Sequence, residues 1–508
     1  MQFENKKIAR NTLILYFRQI LILLTSLYTV RIVLQALGAE DYGIYNVVAG
    51  TVTMFGFLSS SMATASQRFF CFEIGQGNTE KLQKIFSLTF IIYLILAVLL
   101  FAFAETVGLY FLRNKLVIPE ERLQASFWIY QFTIFSFIIT ILTTPYMAAI
   151  IAHENMKIYA YAGIAEAALK FGVALSLKFL PFDNLISYGF LLMIVTSINT
   201  AFYRFFCTAR YPECRLIFIW DKEKIKEIIS YSSWNLFGSS VGIIKNQALN
   251  ILLNIFFNPI VNAARSISIQ VNNAVNSFAI NFTTAMRPQI IKQYAAGNFN
   301  NANRLVSNGC KYTFFLMLIF SMPLILEMNY VLKIWLSNPP ESAAVFTRLA
   351  LIDAVITSIS YQIMTLAQAT GKIKLYQSLV GSILLMNLPM SFLILKLGAP
   401  AYSVMTVTII ISCIATAARL LIIKHLTPFS ITAFFANSLL PIFCTTSTAC
   451  IIPTIIHFAM PENFIRFCIV VFTSIFMTIF CIITIGLSRN ERIDIIQCIK
   501  KKFSNNRK

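Results

Sequence analysis

Arg18, Arg31, Lys245 and Arg265 each interrupt a stretch that otherwise reads as a membrane-crossing helix, and few acidic residues accompany them. A cation near the bilayer centre costs about 2.5–3.5 kcal/mol on insertion scales, so such groups usually face a wet interior and mark a path for a solute. Together they point to a cavity for an anion. An arginine fork can bond two oxygens of one phosphate group, and a lysine supplies a point charge. Arg18 stands roughly 10 Å above the start of its span at 1.5 Å per residue. Arg31 is near the far end of the same span, and Lys245 is near the middle of another. Snorkelling to the interface competes as an explanation for the two arginines and is hardest for Lys245.

The stretch around Arg265 is the most polar of the apolar runs. Arg265, Ser268, Asn272, Asn276 and Thr283 recur at helical spacing and form one stripe. Lipid does not tolerate such a stripe. It either hydrogen-bonds to a neighbouring helix or lines a cavity wall able to bond the hydroxyls of a sugar. Two carboxylates are candidates for ion coupling. Glu166 precedes Lys170 by four residues, the favourable order for a helical ion pair, so it is read as a structural pair or as a proton or sodium site. Asp353 is the second candidate, with Arg348 a poorly spaced partner. His153, His425 and His457 are isolated, and the ten cysteines form no CxxC or Cys/His cluster. No metal site, disulfide framework or cofactor is expected, apart from coupling to a proton or sodium gradient.

The elements that must hold these residues follow from composition. With 57% hydrophobic and 12% charged residues over 508 positions, the chain reads as an all-α polytopic membrane protein. Fourteen spans are predicted, at 11–35, 43–65, 85–104, 125–150, 159–179, 184–208, 230–256, 260–285, 308–328, 345–369, 377–397, 401–424, 433–457 and 465–487. The first is too long and too charged for a cleaved signal peptide. Most of the 41 Lys and Arg fall in segments that share a side if both termini are cytoplasmic, including the tail cluster Lys500, Lys501, Lys502, Arg507 and Lys508. Arg204, Arg348 and Arg419 lie near span ends and are read as snorkelling. The charges are spread over short loops, which argues against nucleic acid as a partner.

The predicted organisation is a six-helix lobe at 1–208 and a linker at 209–229, whose Asp221–Ile229 stretch reads as an amphipathic helix lying on the membrane. A second six-helix lobe at 230–424, an extra helix pair at 425–487 and a basic tail at 488–508 follow. The lobes resemble each other at an offset of about 220. Gln67–Asn78 can be laid on Arg287–Asn298, both ending in Gly-Asn, and Ala152–Tyr159 on Ala369–Tyr376. An offset of six helices, an even number, predicts parallel, pseudo-symmetric halves.

Leu37-Gly-Ala-Glu-Asp-Tyr-Gly-Ile-Tyr45, Val261–Phe278 and Arg287–Gly297 resemble bacterial polysaccharide-repeat-unit (Wzx-type) flippases. These belong to the multidrug/oligosaccharidyl-lipid/polysaccharide transporter superfamily, with the MATE extrusion pumps and lipid II flippases. The resemblance covers essentially the whole chain through diffuse motifs. It implies two six-helix bundles around a central cavity, alternating access, and movement of an undecaprenyl-diphosphate-linked oligosaccharide to the outer leaflet of a bacterial inner membrane. It also implies basic cavity residues, with Arg18 and Arg265 as counterparts, and membrane lipids, a polysaccharide polymerase and a chain-length protein as partners. A multidrug exporter of the same fold is the first rival, but organic cations call for uncompensated carboxylates. A membrane glycan polymerase or ligase is the second. Such an enzyme needs a substantial external segment, whereas the longest loops on that side, near 105–124 and 329–344, hold no histidine, so no enzyme is expected.

Overall fold

The computed structural model describes residues 2–493 except 54, 117, 337 and 490. The tail lysines, Arg507 and Cys498 lie outside the described residues. No strand is present among the described residues, as the bilayer requires when every backbone group must be satisfied within its own segment. Eighteen α-helices run in order among them: α1 Gln2–Thr53, α2 Gly56–Gln76, α3 Thr79–Phe103, α4 Leu109–Asn114, α5 Leu123–Ala152, α6 Met156–Ser176, α7 Asn184–Arg210, α8 Lys222–Phe256 and α9 Pro259–Ala295; then α10 Phe299–Leu336, α11 Ala343–Ser358, α12 Ser360–Ala369, α13 Ile373–Leu385, α14 Asn387–Lys396, α15 Ser403–Leu426, α16 Ile431–Phe434, α17 Leu440–Ala459 and α18 Phe464–Cys481. Asn11–Leu236 forms one compact unit, and the remainder of the described chain forms the other.

Every predicted span falls mainly on helix among the described residues, but eleven helical stretches among them are long and apolar enough to cross a membrane. The difference has local causes. α1 carries the first span and part of the second, divided at Gly38, whose φ of 79° suits glycine. The second span breaks again beside Phe55, where i→i+3 bonds from Phe55 to Val52 and from Leu58 to Phe55 tighten the chain. α2, α8 and α9 are too polar to count by composition, and α8 and α9 are the helices that carry Lys245 and Arg265. The segment from Asp221 is no separate surface helix. It forms the first turns of α8, continuous with the span, and the division between units falls inside α8 rather than in the 209–229 linker.

The internal similarity has a geometric counterpart. Gly77 and Gly297 end α2 and α9 in left-handed conformation, with φ 72° and 77°. Each is followed by an asparagine whose N–H reaches back five residues, Asn78 to Glu73 and Asn298 to Gln293, the cap that glycine permits. Glu154 and Gly371, matched by the second alignment, also share positive φ, 58° and 77°. Deeper in the helices, a Cβ at Gly163 would stand 3.2 Å from Arg18 and 3.7 Å from Ile22, and one at Gly381 would stand 3.0 Å from Phe237 and 3.5 Å from Val241. The same helix contact is thus built twice, at offsets of 218 and 219.

Loops lace each unit at its ends. In the first unit Arg122 bonds both Asp41 oxygens and Asp183 Oδ2, the latter at 2.5 Å, while Glu213 pairs with His153, which stacks on Tyr211 at 4.1 Å. In the second unit Lys311 Nζ and Tyr312 Oη donate to Glu491 at 2.7 and 2.6 Å, and Asn303 donates to the Pro428 carbonyl at 2.8 Å. In each case the partners are segments that a chain of fourteen crossings would return to the same side. The pair at 425–487 is packed into the second unit's core, through Phe429, Phe434 and Ile442.

Candidate functional site

In the second unit a cavity of about 50 Å³ is lined by Lys245 and Asn246 of α8, Arg265, Ser268 and Asn272 of α9, Asp353 of α11 and Thr408 of α15. Arg265 is 2% exposed. It donates to the Asn246 carbonyl at 3.1 Å and to the Asn250 side chain, and so pins α9 to α8. Its Nε has no hydrogen-bond partner among the described residues, and neither do Asn272 Oδ1 and Asp353 Oδ1. Lys245 and Asp353 face the cavity without closing an ion pair. Buried polar atoms of this kind are costly unless a ligand or water meets them.

The polar stripe of α9 divides. Arg265, Ser268 and Asn272 reach the cavity. Asn276 instead accepts the Tyr361 hydroxyl at 2.7 Å, and Thr283 accepts from Gln362 at 3.1 Å. Asn276, expected at a cavity wall, is therefore used in helix packing. Arg419, expected to snorkel, is buried, with Nε on the Tyr376 hydroxyl and Nη1 on Ser360, both at 3.1 Å. It interacts electrostatically with Lys245 and Asp353. The signal is present in the sequence: Arg419 is followed by Leu-Leu-Ile-Ile before Lys424, so it sits more than a turn inside its helix. Arg348 does not serve Asp353 and donates to the Ile325 carbonyl at 2.9 Å.

In the first unit Arg18 of α1 lies over the Tyr159 ring of α6 at 4.4 Å, in the space left by Gly163, and its Nε is buried without a partner among the described residues. Tyr376, the residue aligned with Tyr159, also holds an arginine. Glu166 bonds Lys170 at 2.6 Å and Asn199 at 2.9 Å. Arg31 is exposed on α1, with no ion pair or hydrogen bond among the described residues. No cluster of metal-ligating side chains occurs among the described residues.

The cavity wall therefore sets two cations, Lys245 and Arg265, against one carboxylate, Asp353, while Arg419, outside the lining, is held on Tyr376 and Ser360. A cavity of about 50 Å³ holds a water or one small ion. A larger anion enters only if the lining helices part.

No protein-family model and no curated protein matches the chain. Solved structures do. An outward-facing multidrug-resistance MATE transporter of the MOP superfamily superposes with a TM-score of 0.72 at 13% identity, over 83% of this chain and 95% of that one. A second MATE structure, of a mutant with one proline replaced by alanine, gives 0.74 at 13%, over 83% and 96%. A MOP-superfamily transporter from Pyrococcus furiosus, described as having a binding pocket of reverse polarity that suggests a different function, gives 0.71 at 14%, over 85% and 96%. With its many apolar helices, the chain is a multi-pass membrane protein with the two-lobe helical fold of the MATE transporters of the MOP superfamily.

Proposed function

We propose that the chain is a flippase carrying undecaprenyl-diphosphate-linked oligosaccharide repeat units across a bacterial inner membrane, by alternating access, for surface polysaccharide synthesis. The observation that carries this reading is the surplus of cations over carboxylates around the second-unit cavity. A sugar diphosphate cannot cross hydrocarbon unaided. Lys245 and Arg265 would receive the diphosphate once the lining helices part, Asn272 would bond sugar hydroxyls, and Arg18 and Arg31 would supply further positive charge along the path. Both termini face the cytoplasm in this reading, and the partners are a polymerase and a chain-length protein.

The multidrug-exporter reading draws on the likeness to MATE pumps, and Asp353 is the carboxylate it needs. Expression in a bacterium lacking its own flippase separates the two. Return of surface glycan with disappearance of accumulated lipid-linked repeats supports the flippase. Failure to restore glycan, with resistance to cationic dyes in an efflux-deficient host, supports the exporter.

A further inference from the structure

α10 bends at the residue that carries its buried carboxylate. Glu327 has φ −100° and ψ 23° within the helix, and Pro323, one turn earlier, removes an N–H from the ladder. Both helices of the C-terminal pair reach this carboxylate. His457 Nδ1 of α17 is 2.8 Å from Oε1, and Arg466 of α18 donates to Oε2 at 3.0 Å. Arg466 also donates to the Met460 carbonyl at 3.3 Å and has Glu462 at 3.8 Å. Of the other charged groups on the elements packed here, Arg304 and Lys311 lie in the opposite half of α10, and Arg287 and Lys292 lie in the last third of α9. Arg348 of α11 bonds the Ile325 carbonyl, Asp353 of α11 and Arg265 of α9 belong to the cavity, and Lys333 lies further along α10.

An ionised carboxylate only accepts hydrogen bonds, so toward an ionised Glu327 the His457 Nδ1 is the donor and Nε2 the nitrogen left to take a further proton. The Glu327 side chain is 0% exposed, Arg466 9% and His457 19%, which makes the imidazole the most exposed member of the trio. We infer that Glu327 and His457 form a proton-binding site whose occupancy sets the bend of α10. A proton from water adds to Nε2, no bond to carbon breaks, and the charge of the cluster rises by one, so that Glu327 faces two cations instead of one. Intramembrane Glu and His commonly act as proton relays.

The test uses the full-length chain in lipid nanodiscs with Trp128, Trp220 and Trp234 replaced by phenylalanine, leaving Trp335 on α10 as the reporter. The expected result is a reversible change in Trp335 emission between pH 5 and 8, abolished by His457→Gln and unaffected by His153→Gln in the other unit. His457→Arg, fixed in charge, should hold the emission at its acid level throughout. Emission that ignores pH in the parent, or still follows it in either His457 variant, overturns the site. A parallel complementation assay should show surface glycan reduced at least tenfold by His457→Gln, and full glycan would overturn a role in transport. If the unmutated chain restores no glycan, the flippase reading fails while the Trp335 result stands by itself.

Discussion

Lys245 and Arg265 differ in what they give up to meet an anion. Arg265 already bonds Asn246 and Asn250, so its loss both removes a charge and loosens α9 from α8. Lys245 has no such bonds among the described residues. Lys245→Ala and Arg265→Ala should each cut transport by about 10- to 100-fold, the size of one lost charge-assisted contact, while both proteins still insert. Full glycan in both mutants would sink the cavity assignment. Asn272→Ala should weaken transport, whereas Asn276→Ala should chiefly lower thermal stability, since its amide is committed to Tyr361. The α9 stripe was legible as a stripe, because helical spacing is carried by the residues themselves. Which of its members meets a cavity and which meets α12 depends on where Tyr361 and Gln362 arrive, and no local pattern encodes that. Glu327 stands 130 residues from His457 and 139 from Arg466, so their meeting was equally out of reach.

Helices are held in register by charges at their ends. Burial pushes the Asp183 carboxyl up, but the N–H groups of Ile186 and Leu185 and the Arg122 guanidinium outweigh it and leave the carboxyl below its ordinary value. Glu213 follows the same pattern, with burial overcome by His153 and a backbone N–H, and in Glu491 the opposing donors are Lys311, Tyr312 and Ser488. Carboxyls lowered on folding stabilise the fold above their ordinary range, and that contribution fades as pH falls through it. Melting temperature should therefore drop on acidification towards and below the usual carboxylate range. Arg122→Gln should melt lower at neutral pH, by about 1.5–3 kcal/mol for each charge-assisted bond removed before screening. It should also lose less on acidification than the parent, and an equal loss would dissociate Asp183 from the effect. Helix positions were legible because an apolar run of span length has few other uses. The break beside Phe55 and the absorption of Asp221–Ile229 into α8 were not, because a polar first turn looks the same whether or not the helix continues.

At the level of the whole chain, the repeat and the alternation of loops make one prediction. Cysteines introduced singly at the exposed positions Glu80, Asn300 and Lys372, in a chain cleared of native cysteines, should react with an impermeant reagent from one face of the membrane. Those at Glu121 and Glu341, exposed as well, should react from the other. Any exchange between the groups would remove a crossing from the count. The offset of about 220 was visible in the sequence because capping demands particular residues, Gly-Asn after α2 and α9, whereas the Gly163 and Gly381 contacts left no readable mark. That contact is also where the halves have parted company. The slot over Gly163 is filled by the Cγ and Cδ methylenes of Arg18 and the slot over Gly381 by a benzyl ring, Phe237, so a chimera built from two copies of the first half would carry an arginine in both slots. Phe237→Arg makes that exchange at a single position, and its phenotype would tell whether the duplicated architecture still tolerates being made symmetric or has come to depend on being lopsided.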